Sequence, residues 1–112
     1  MWEAVNQMEL MLRLGTPFEP VALAGILGMS TRGLERMFHK HTGSGPSEYF
    51  QKRRVDRARQ MLSVPGAGIT EVAYELGFSD GAHFTKVFKR FTGCTPRAYK
   101  DKQAAQGLRK GM

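Results

Sequence analysis

The sequence has one cysteine, Cys94, and no long apolar run. A single thiol cannot form a disulfide within the chain, which favours a reducing compartment. The longest stretch without a polar side chain, Val21–Met29, has nine residues and includes two glycines, whereas a membrane-spanning helix needs roughly 20 residues. The first residues, Met1–Ala4, lack the basic leader and apolar core of an export signal. We therefore expect a cytoplasmic protein with no membrane partner.

Motifs for catalysis are scarce as well. The soft metal ligands are three histidines and one cysteine, and neither a Cys-x-x-Cys nor a His-Glu-x-x-His spacing occurs. His39 and His41 are two residues apart on a predicted helix and would point to different faces. No glycine-rich phosphate loop follows a strand, and no nucleophile elbow is present. The sequence therefore predicts no enzymatic activity, no metal site and no cofactor.

Acidic residues are few. The 10 Asp and Glu residues are outnumbered by 17 Lys and Arg residues, which gives a net charge of +7. Residues 30–62 contain eight of the basic residues and three of the acidic ones, so the positive charge is concentrated in one part of the chain. A basic stripe on a small domain indicates a polyanionic partner, and nucleic acid fits this best. Solubility or an anionic membrane surface would also account for the charge taken alone.

The sequence contains one unit twice. Leu27–Ser30 (Leu-Gly-Met-Ser) returns as Leu76–Ser79 (Leu-Gly-Phe-Ser). The later matches are Phe38 with Phe88, Thr42-Gly43 with Thr92-Gly93, Pro46 with Pro96, and Tyr49 with Tyr99. The spacing is 49 residues up to the Leu-Gly-x-Ser step and 50 after it, so the second copy has one extra residue in or just before the start of its second helix. A repeat of this length indicates a supersecondary module used twice, here a helix, a glycine turn and a second helix.

The spacing of apolar residues predicts an all-α fold of seven helices with no sheet. In the first copy Ser30 is expected to cap a helix that ends near His41, and in the second copy Ser79 is expected to cap its counterpart. The predicted buried stripes are Leu34, Met37, Phe38 and His41 in the first of these helices and Phe84, Val87, Phe88 and Phe91 in the second. The other helices are predicted at Glu3–Leu14, Pro20–Leu27, Pro46–Leu62, Ile69–Leu76 and Pro96–Lys100.

These helices predict a first helix-turn-helix subdomain at residues 1–45, a linker helix at 46–62 and a second helix-turn-helix subdomain at 63–100. The linker helix would be roughly 25 Å long and would hold the halves apart. Its predicted buried edge is Phe50, Val55, Ala58 and Leu62. Residues 101–112 are predicted to form a disordered tail because few of them are apolar.

The second copy contains an extended motif. Ile-x-x-Val-Ala-x-x-Leu-Gly-Phe-Ser at Ile69–Ser79 is followed by Phe84, Phe88-Lys89, Gly93, Pro96 and Tyr99. This pattern resembles the C-terminal signature of AraC/XylS-family transcription regulators, and the resemblance covers about residues 5–100. It implies a seven-helix DNA-binding domain whose two helix-turn-helix subdomains read two successive major-groove segments of double-stranded promoter DNA. It also implies an effector-binding or dimerisation domain alongside this one. We expect that domain in the rest of a longer protein, although a free-standing regulator also fits, and we expect RNA polymerase as a further partner.

The exposed side of each second helix provides the candidate DNA-contact residues. They are Thr31, Arg32, Glu35, Arg36 and Lys40 in the first copy and Ala82, His83, Thr85, Lys86 and Arg90 in the second. An arginine fork matches O6 and N7 of guanine, a carboxylate can accept from the cytosine amino group, and an alanine can contact a thymine methyl group. Lys40 and Arg90 lie toward the helix ends, where phosphate contact is favoured. We expect the first helix to supply most of the sequence discrimination and the second mainly to anchor.

Structural alternatives exist for several of these basic and acidic residues. Glu35 can pair with Arg32 or His39 on its own helix. Arg54 lies beside the predicted buried edge, which favours a structural ion pair over DNA contact. Either phosphate contact or a solvated face accounts for Lys52, Arg53 and Arg57. The alternative function is a basic helical module that binds RNA or an acidic protein, although the aromatic sheet and the Gly-x-x-Gly loop of RNA readers are not evident.

Overall fold

The computed structural model describes residues 1–110, and their side chains as far as residue 105. Its helices are α1 Trp2–Leu14, α2 Pro20–Ile26, α3 Thr31–Thr42, α4 Pro46–Leu62, α5 Ile69–Glu75, α6 Gly81–Thr92 and α7 Pro96–Lys110. Residues 1–110 contain no strand. The prediction of an all-α fold with seven helices is confirmed.

The helices group into two compact units, one formed by Met1–Arg53 and a second that begins at Arg54. The core of the first unit consists of Ala4, Met8, Leu12, Leu23, Ala24, Leu34, Phe38 and Phe50. The core of the second consists of Val55, Ala58, Leu62, Val72, Ala73, Leu76, Phe78, Phe84 and Phe88. The predicted apolar edge of α4 is therefore buried, with one of its four members in the first core and three in the second.

The duplication includes α1, which matches the second half of α4. The buried pairs, 50 residues apart, are Ala4 with Arg54, Met8 with Ala58, and Leu12 with Leu62. Each unit thus has three helices in the same order. They are a supporting helix (α1 or the second half of α4), a short helix (α2 or α5) and an outer helix (α3 or α6). The outer helix of each unit packs an aromatic ring on the helix that follows, with ring centroids 5.4 Å apart for Phe38 and Tyr49 and 5.6 Å apart for Phe88 and Tyr99.

The turn between the short helix and the outer helix is the same in both copies. Gly28 has a φ of +66° and Gly77 a φ of +80°, a left-handed conformation that glycine adopts without the steric cost of a Cβ. The next residue donates its N–H to a carbonyl of the preceding helix, with N···O distances of 2.9 Å for Met29 and 3.0 Å for Phe78. This Schellman ending satisfies carbonyl groups at the end of the short helix and leads the chain into the outer helix.

The two outer helices begin at different types of capping residue. The Ser30 hydroxyl accepts a hydrogen bond from the N–H of Gly33 at 3.0 Å, as predicted. In the second copy the cap is Asp80, whose Oδ1 accepts from the N–H of His83 at 2.7 Å. The prediction that Ser79 is the cap was wrong, because the extra residue of the second copy lies before the helix and moves the capping position by one.

The buried stripes of the outer helices agree with the predictions except at one residue. Leu34 and Phe38 of α3 are fully buried, as are Phe84 and Phe88 of α6. The flanking positions Met37, Val87 and Phe91 pack partly against the same cores. His41 is exposed, which corrects the prediction, because it lies in the last turn of α3, beyond the end of the core stripe at Phe38.

The last helix is longer than predicted. The tail predicted to be disordered from Asp101 is helical as far as Lys110, and residues 111–112 of that tail lie outside the described residues. Lys102–Ala105 consists of good helix formers, so nothing in this segment stops a helix that has begun at Pro96. The Lys100 ammonium group also donates to the carbonyl of Ala67, which ties α7 to the loop that follows α4.

Candidate nucleic-acid interface

The outer helices α3 and α6 end in matching hydrogen-bonded turns. The Thr42 hydroxyl donates to the Phe38 carbonyl at 2.6 Å and accepts from the N–H of Ser44 at 3.2 Å. The equivalent Thr92 donates to the Phe88 carbonyl at 2.9 Å and accepts from the N–H of Cys94 at 3.2 Å. Each outer helix is thus held at both of its ends, by a capping side chain and by a Thr-Gly turn, and presents its remaining face to solvent. The repeated Thr-Gly pair was visible in the sequence, but its hydrogen bonds were not predicted.

The exposed face of α3 is cationic. Arg32, Arg36 and Lys40 are exposed at successive turns, and Thr31 is exposed at the first position of the helix. In the part of the chain with described side chains, neither arginine takes part in an ion pair or a hydrogen bond. Two guanidinium groups one turn apart therefore remain available to an outside partner.

Glu35 pairs with a residue of its own helix. Its Oε2 lies 3.5 Å from Nε2 of His39, one turn toward the C-terminus of α3. Of the two partners that the sequence allowed, the structure selects His39 and not Arg32. His39 was not among the predicted site residues, although its i+4 spacing from Glu35 and its exposure on the same helix were signals for it.

On the exposed face of α6, two of the candidate DNA-contact residues lie against aromatic rings of the protein. Ala82, His83, Lys86 and Arg90 are exposed, and Thr85 is half-buried. The His83 imidazole packs edge-on against the ring of Phe78, with centroids 5.4 Å apart. The Arg90 guanidinium lies 5.1 Å from the centroid of the Phe91 ring. Lys89, absent from the predicted site, is also exposed on α6.

Basic residues of α4 have mixed roles. Arg53 Nε donates to the carboxylate of Glu9 at 2.9 Å, so this guanidinium ties α4 to α1 within the first unit. Arg59 lies 3.6 Å from Asp56 on the same helix. Lys52 is exposed and Arg57 is half-buried. Of the three residues predicted as phosphate clamps or a solvated face, Arg53 is therefore already engaged in a structural ion pair.

Arg54 is a structural residue of the second unit. It is 6% exposed, and its Nε donates to the carbonyl of Leu76 at 2.8 Å. Its guanidinium carbon lies 3.8 Å from the centroid of the Phe78 ring. Burial lowers the pKa of Arg54 from its ordinary value to about 10, so the group stays charged at neutral pH and needs these contacts to offset its desolvation.

The described side chains contain no cluster of three or more His, Cys, Asp or Glu residues that could hold a metal ion. No helix in the same part of the chain combines the length and apolar character needed to cross a membrane.

Comparison with known proteins decides the family. A helix-turn-helix domain family model matches residues 23–102. An AraC-type transcriptional regulator from Chromobacterium violaceum has a crystal structure that superposes with a TM-score of 0.82 and 34% identity, covering 92% of this chain and 90% of that chain. The chain belongs to the AraC/XylS family. The AraC-type likeness includes the DNA-binding domain of AdpA, solved in complex with a target DNA, with a TM-score of 0.84 and 30% identity over 94% of this chain and 93% of that one.

Relatives of this AraC-type chain are longer proteins. The HTH-type transcriptional regulator GlxA of Rhizobium meliloti is 39% identical over 80 residues, which are 71% of this chain and 25% of that protein. The regulator GbdR of Pseudomonas aeruginosa is 39% identical over 95 residues, which are 85% of this chain and 25% of that protein. The chain therefore spans about a quarter of the length of these curated relatives.

Proposed function

We propose that this chain is the DNA-binding part of a transcription regulator and recognises double-stranded promoter DNA by sequence. The observation that carries the proposal is the likeness, over 94% of the chain, to a family domain solved on its target DNA. The geometry of the outer helices supports it, because each begins at a capping side chain, ends at a Thr-Gly turn and is basic on its exposed face. In a helix-turn-helix module such a helix lies in the major groove.

The proposal includes two adjacent major-groove contacts, one for each copy of the module. The domain division proposed from the sequence assigns residues 1–45 and 63–100 to the two modules and residues 46–62 to the helix between them. In support, α4 is continuous over Pro46–Leu62 and contributes side chains to both cores. Two contacts on one duplex face would be about one helical turn, roughly 34 Å, apart.

The first module is proposed to read most of the sequence. Arg32 and Arg36 are assigned to guanine, and Glu35 to a cytosine amino group. Thr31 and Lys40, at the two ends of α3, are assigned to phosphates. The exposure of both arginines and the absence of a protein partner for them among the described side chains support this assignment.

The second module is proposed mainly to anchor the chain. Ala82 is assigned to a thymine methyl group, and the polar contacts are assigned to His83, Thr85, Lys86 and Arg90. The contacts of His83 and Arg90 with aromatic rings support an anchoring role, because these side chains are held close to the protein surface.

The role proposed here is non-catalytic and cytoplasmic, in keeping with the motifs and the single cysteine of the sequence. RNA polymerase and an effector-binding domain in a longer protein are proposed as further partners. The lengths of GlxA and GbdR, about four times the matched segment, support the second of these.

Selection of bound sequences from a random duplex library tests the function directly. The expected result is a consensus with two conserved segments about one helical turn apart. The stronger segment is expected to be the one whose preference the R36A variant relaxes, which assigns it to α3. Binding to the selected duplex, to RNA and to an acidic protein is then compared over a salt series. Equal affinity for all three partners, with no enriched sequence, would contradict the proposal and leave a general polyanion binder.

A further inference from the structure

The Glu35–His39 pair of α3 lies beside the turn that leads into α4. Glu35 and His39 are 49% and 59% exposed, with 3.5 Å between Oε2 and Nε2. A Cβ added at Gly45 would lie 3.3 Å from the Glu35 carboxylate and 3.6 Å from the His39 ring nitrogen. The missing side chain at Gly45 therefore leaves the room in which the carboxylate and the imidazole meet.

The position of this carboxylate matters for the neighbouring arginine. Glu35 lies three residues after Arg32 and four before His39, and both spacings allow side chains to meet on a helix. An Arg–carboxylate pair is charge-assisted and frequently bidentate, so Arg32 is a strong competitor for Glu35. In the structure the carboxylate is engaged by His39, and Arg32 is left exposed without an ion-pair partner among the described side chains.

The second module has no equivalent of this arrangement. The positions matching Glu35 and His39 in the repeat are Thr85 and Lys89. Because α6 has no acidic residue at any position, its cations need no such partner. The pair is thus specific to the module that displays two arginines.

We propose that His39 is a positioning residue, which holds the Glu35 carboxylate away from Arg32 and so keeps that guanidinium available for a DNA base. The inference rests on the proposed function, since it deepens the role of α3 in reading sequence. When His39 is lost, Glu35 turns back to Arg32 and the guanine preference assigned to Arg32 weakens. The effect is modest, because an exposed ion pair within a helix contributes about 0.3–0.5 kcal/mol, equivalent to about a twofold change in affinity.

The test measures affinity for the duplex that the wild-type chain selects from a random library, at one fixed pH and salt concentration. H39A is expected to weaken binding by about twofold. H39Q is expected to retain most of the affinity, since a glutamine amide at this position can donate a hydrogen bond to the carboxylate. The matched control is H41A, which removes an exposed histidine two residues further on and is expected to bind as the wild type does.

Removing Glu35 separates an indirect role of His39 from a direct one. In an E35A background the H39A change is expected to have no further effect, because no carboxylate remains to be released. An equal loss in both backgrounds would show that His39 itself contacts DNA and would overturn the inference. An H39A variant with unchanged affinity would overturn it as well.

A second measurement needs no DNA and separates the inference from the proposed function. The Nε–H resonance of Arg32 in a ¹⁵N NMR spectrum is expected to shift in H39A and to return to its wild-type position in E35A/H39A. An Arg32 signal unaffected by H39A would overturn the inference even if the chain binds DNA. If the wild type selects no duplex, the proposed function fails, while this signal still decides what His39 does.

Discussion

The helices α3 and α6 have matching ends and different exposed faces. Each begins at a capping side chain and ends at a Thr-Gly turn, and each packs a phenylalanine on a tyrosine of the next helix. On the outside, α3 displays two arginines without an ion-pair partner in the described part of the chain. On α6 the side chains of His83 and Arg90 rest on aromatic rings. The two copies thus share the Thr-Gly turns and the phenylalanine–tyrosine contacts, while their capping residues and the residues on their exposed faces differ.

The cores of the two units are matched in position but not in composition. Leu34 in the first unit corresponds to Phe84 in the second, and Ala4 corresponds to the buried Arg54. In the second unit Phe78, Phe84 and Phe88 form a chain of ring contacts with centroids 5.0 and 5.7 Å apart. The second unit is therefore the more aromatic of the two, and Arg54 packs on the first ring of that chain.

Truncation of the matched phenylalanines should give the largest effects. Phe38 and Phe88 are both fully buried, and a Phe→Ala change in a core costs about 3–5 kcal/mol. F38A and F88A are each expected to lose stability in that range, measured by urea unfolding followed by circular dichroism. If one of them were tolerated within about 1 kcal/mol of the wild type, the two cores would not be equivalent supports.

Loss of Arg54 should destabilise the second unit. R54M removes a charged hydrogen bond to the Leu76 carbonyl and the contact with the Phe78 ring, for an expected cost of about 2–4 kcal/mol. R53A, at the neighbouring position, removes an ion pair that is partly exposed and should cost about 1 kcal/mol or less. Equal costs for the two variants would contradict the structural role of Arg54.

The pH dependence of the Arg54 effect has a definite sign. Its pKa is about 10 in the folded chain, which is below its ordinary value, so the unfolded chain binds more protons than the folded chain only above about pH 10. Stability linked to Arg54 therefore rises with pH in that alkaline range and is constant between about pH 6 and 8. The difference in unfolding free energy between R54M and the wild type should be the same at pH 6 and pH 8. A difference that changed across this interval would show that another titrating group is coupled to Arg54.

Substitutions on the exposed faces should distinguish sequence recognition by α3 from anchoring to DNA by α6. R36A is expected to cost about 1–3 kcal/mol of binding and to relax the preference at one base pair. K86A is expected to weaken binding to all duplexes alike and to reduce the salt slope by about 1. Affinities for duplexes mutated in each half provide the measurement, and equal losses in both halves would contradict the proposed asymmetry.

Changes at the helix caps should have the smallest effects. S30A and D80A are each expected to cost about 1 kcal/mol, because each leaves an N–H of the first turn without its partner. S79A should change stability by less than about 0.5 kcal/mol, since it caps no helix. Thermal unfolding of the three variants side by side is the measurement, and a larger loss for S79A than for D80A would contradict the assigned cap.

Much of the fold follows from periodicity and from the residues that stop helices. The bounds of α4 were predicted without error, because Pro46 starts a helix and the Pro65-Gly66 loop follows its end. The repeat also indicates the length of α7, although the composition of residues 101–112 led to the prediction of a disordered tail. Pro96 occupies the position at which Pro46 begins a helix of 17 residues, so a long final helix follows from the register.

The features that the sequence left undecided or predicted wrongly concern single positions that depend on local geometry. Whether Ser79 or Asp80 caps α6 depends on where the extra residue lies, and both residue types are good caps. Spacing allowed Arg32 or His39 as the partner of Glu35, and the structure shows His39, beside the space left by Gly45. The burial of Phe84 and Phe88 was predictable from their spacing, whereas the contacts of His83 and Arg90 with aromatic rings were not.

Methylation protection of guanine N7 on the selected duplex shows whether both modules enter the major groove, because N7 faces that groove. Two protected segments are expected about one helical turn apart on one face of the duplex. R36A is expected to abolish protection within only one of them. A single protected segment, or protection with no preferred position, would contradict the claim that both modules enter the major groove.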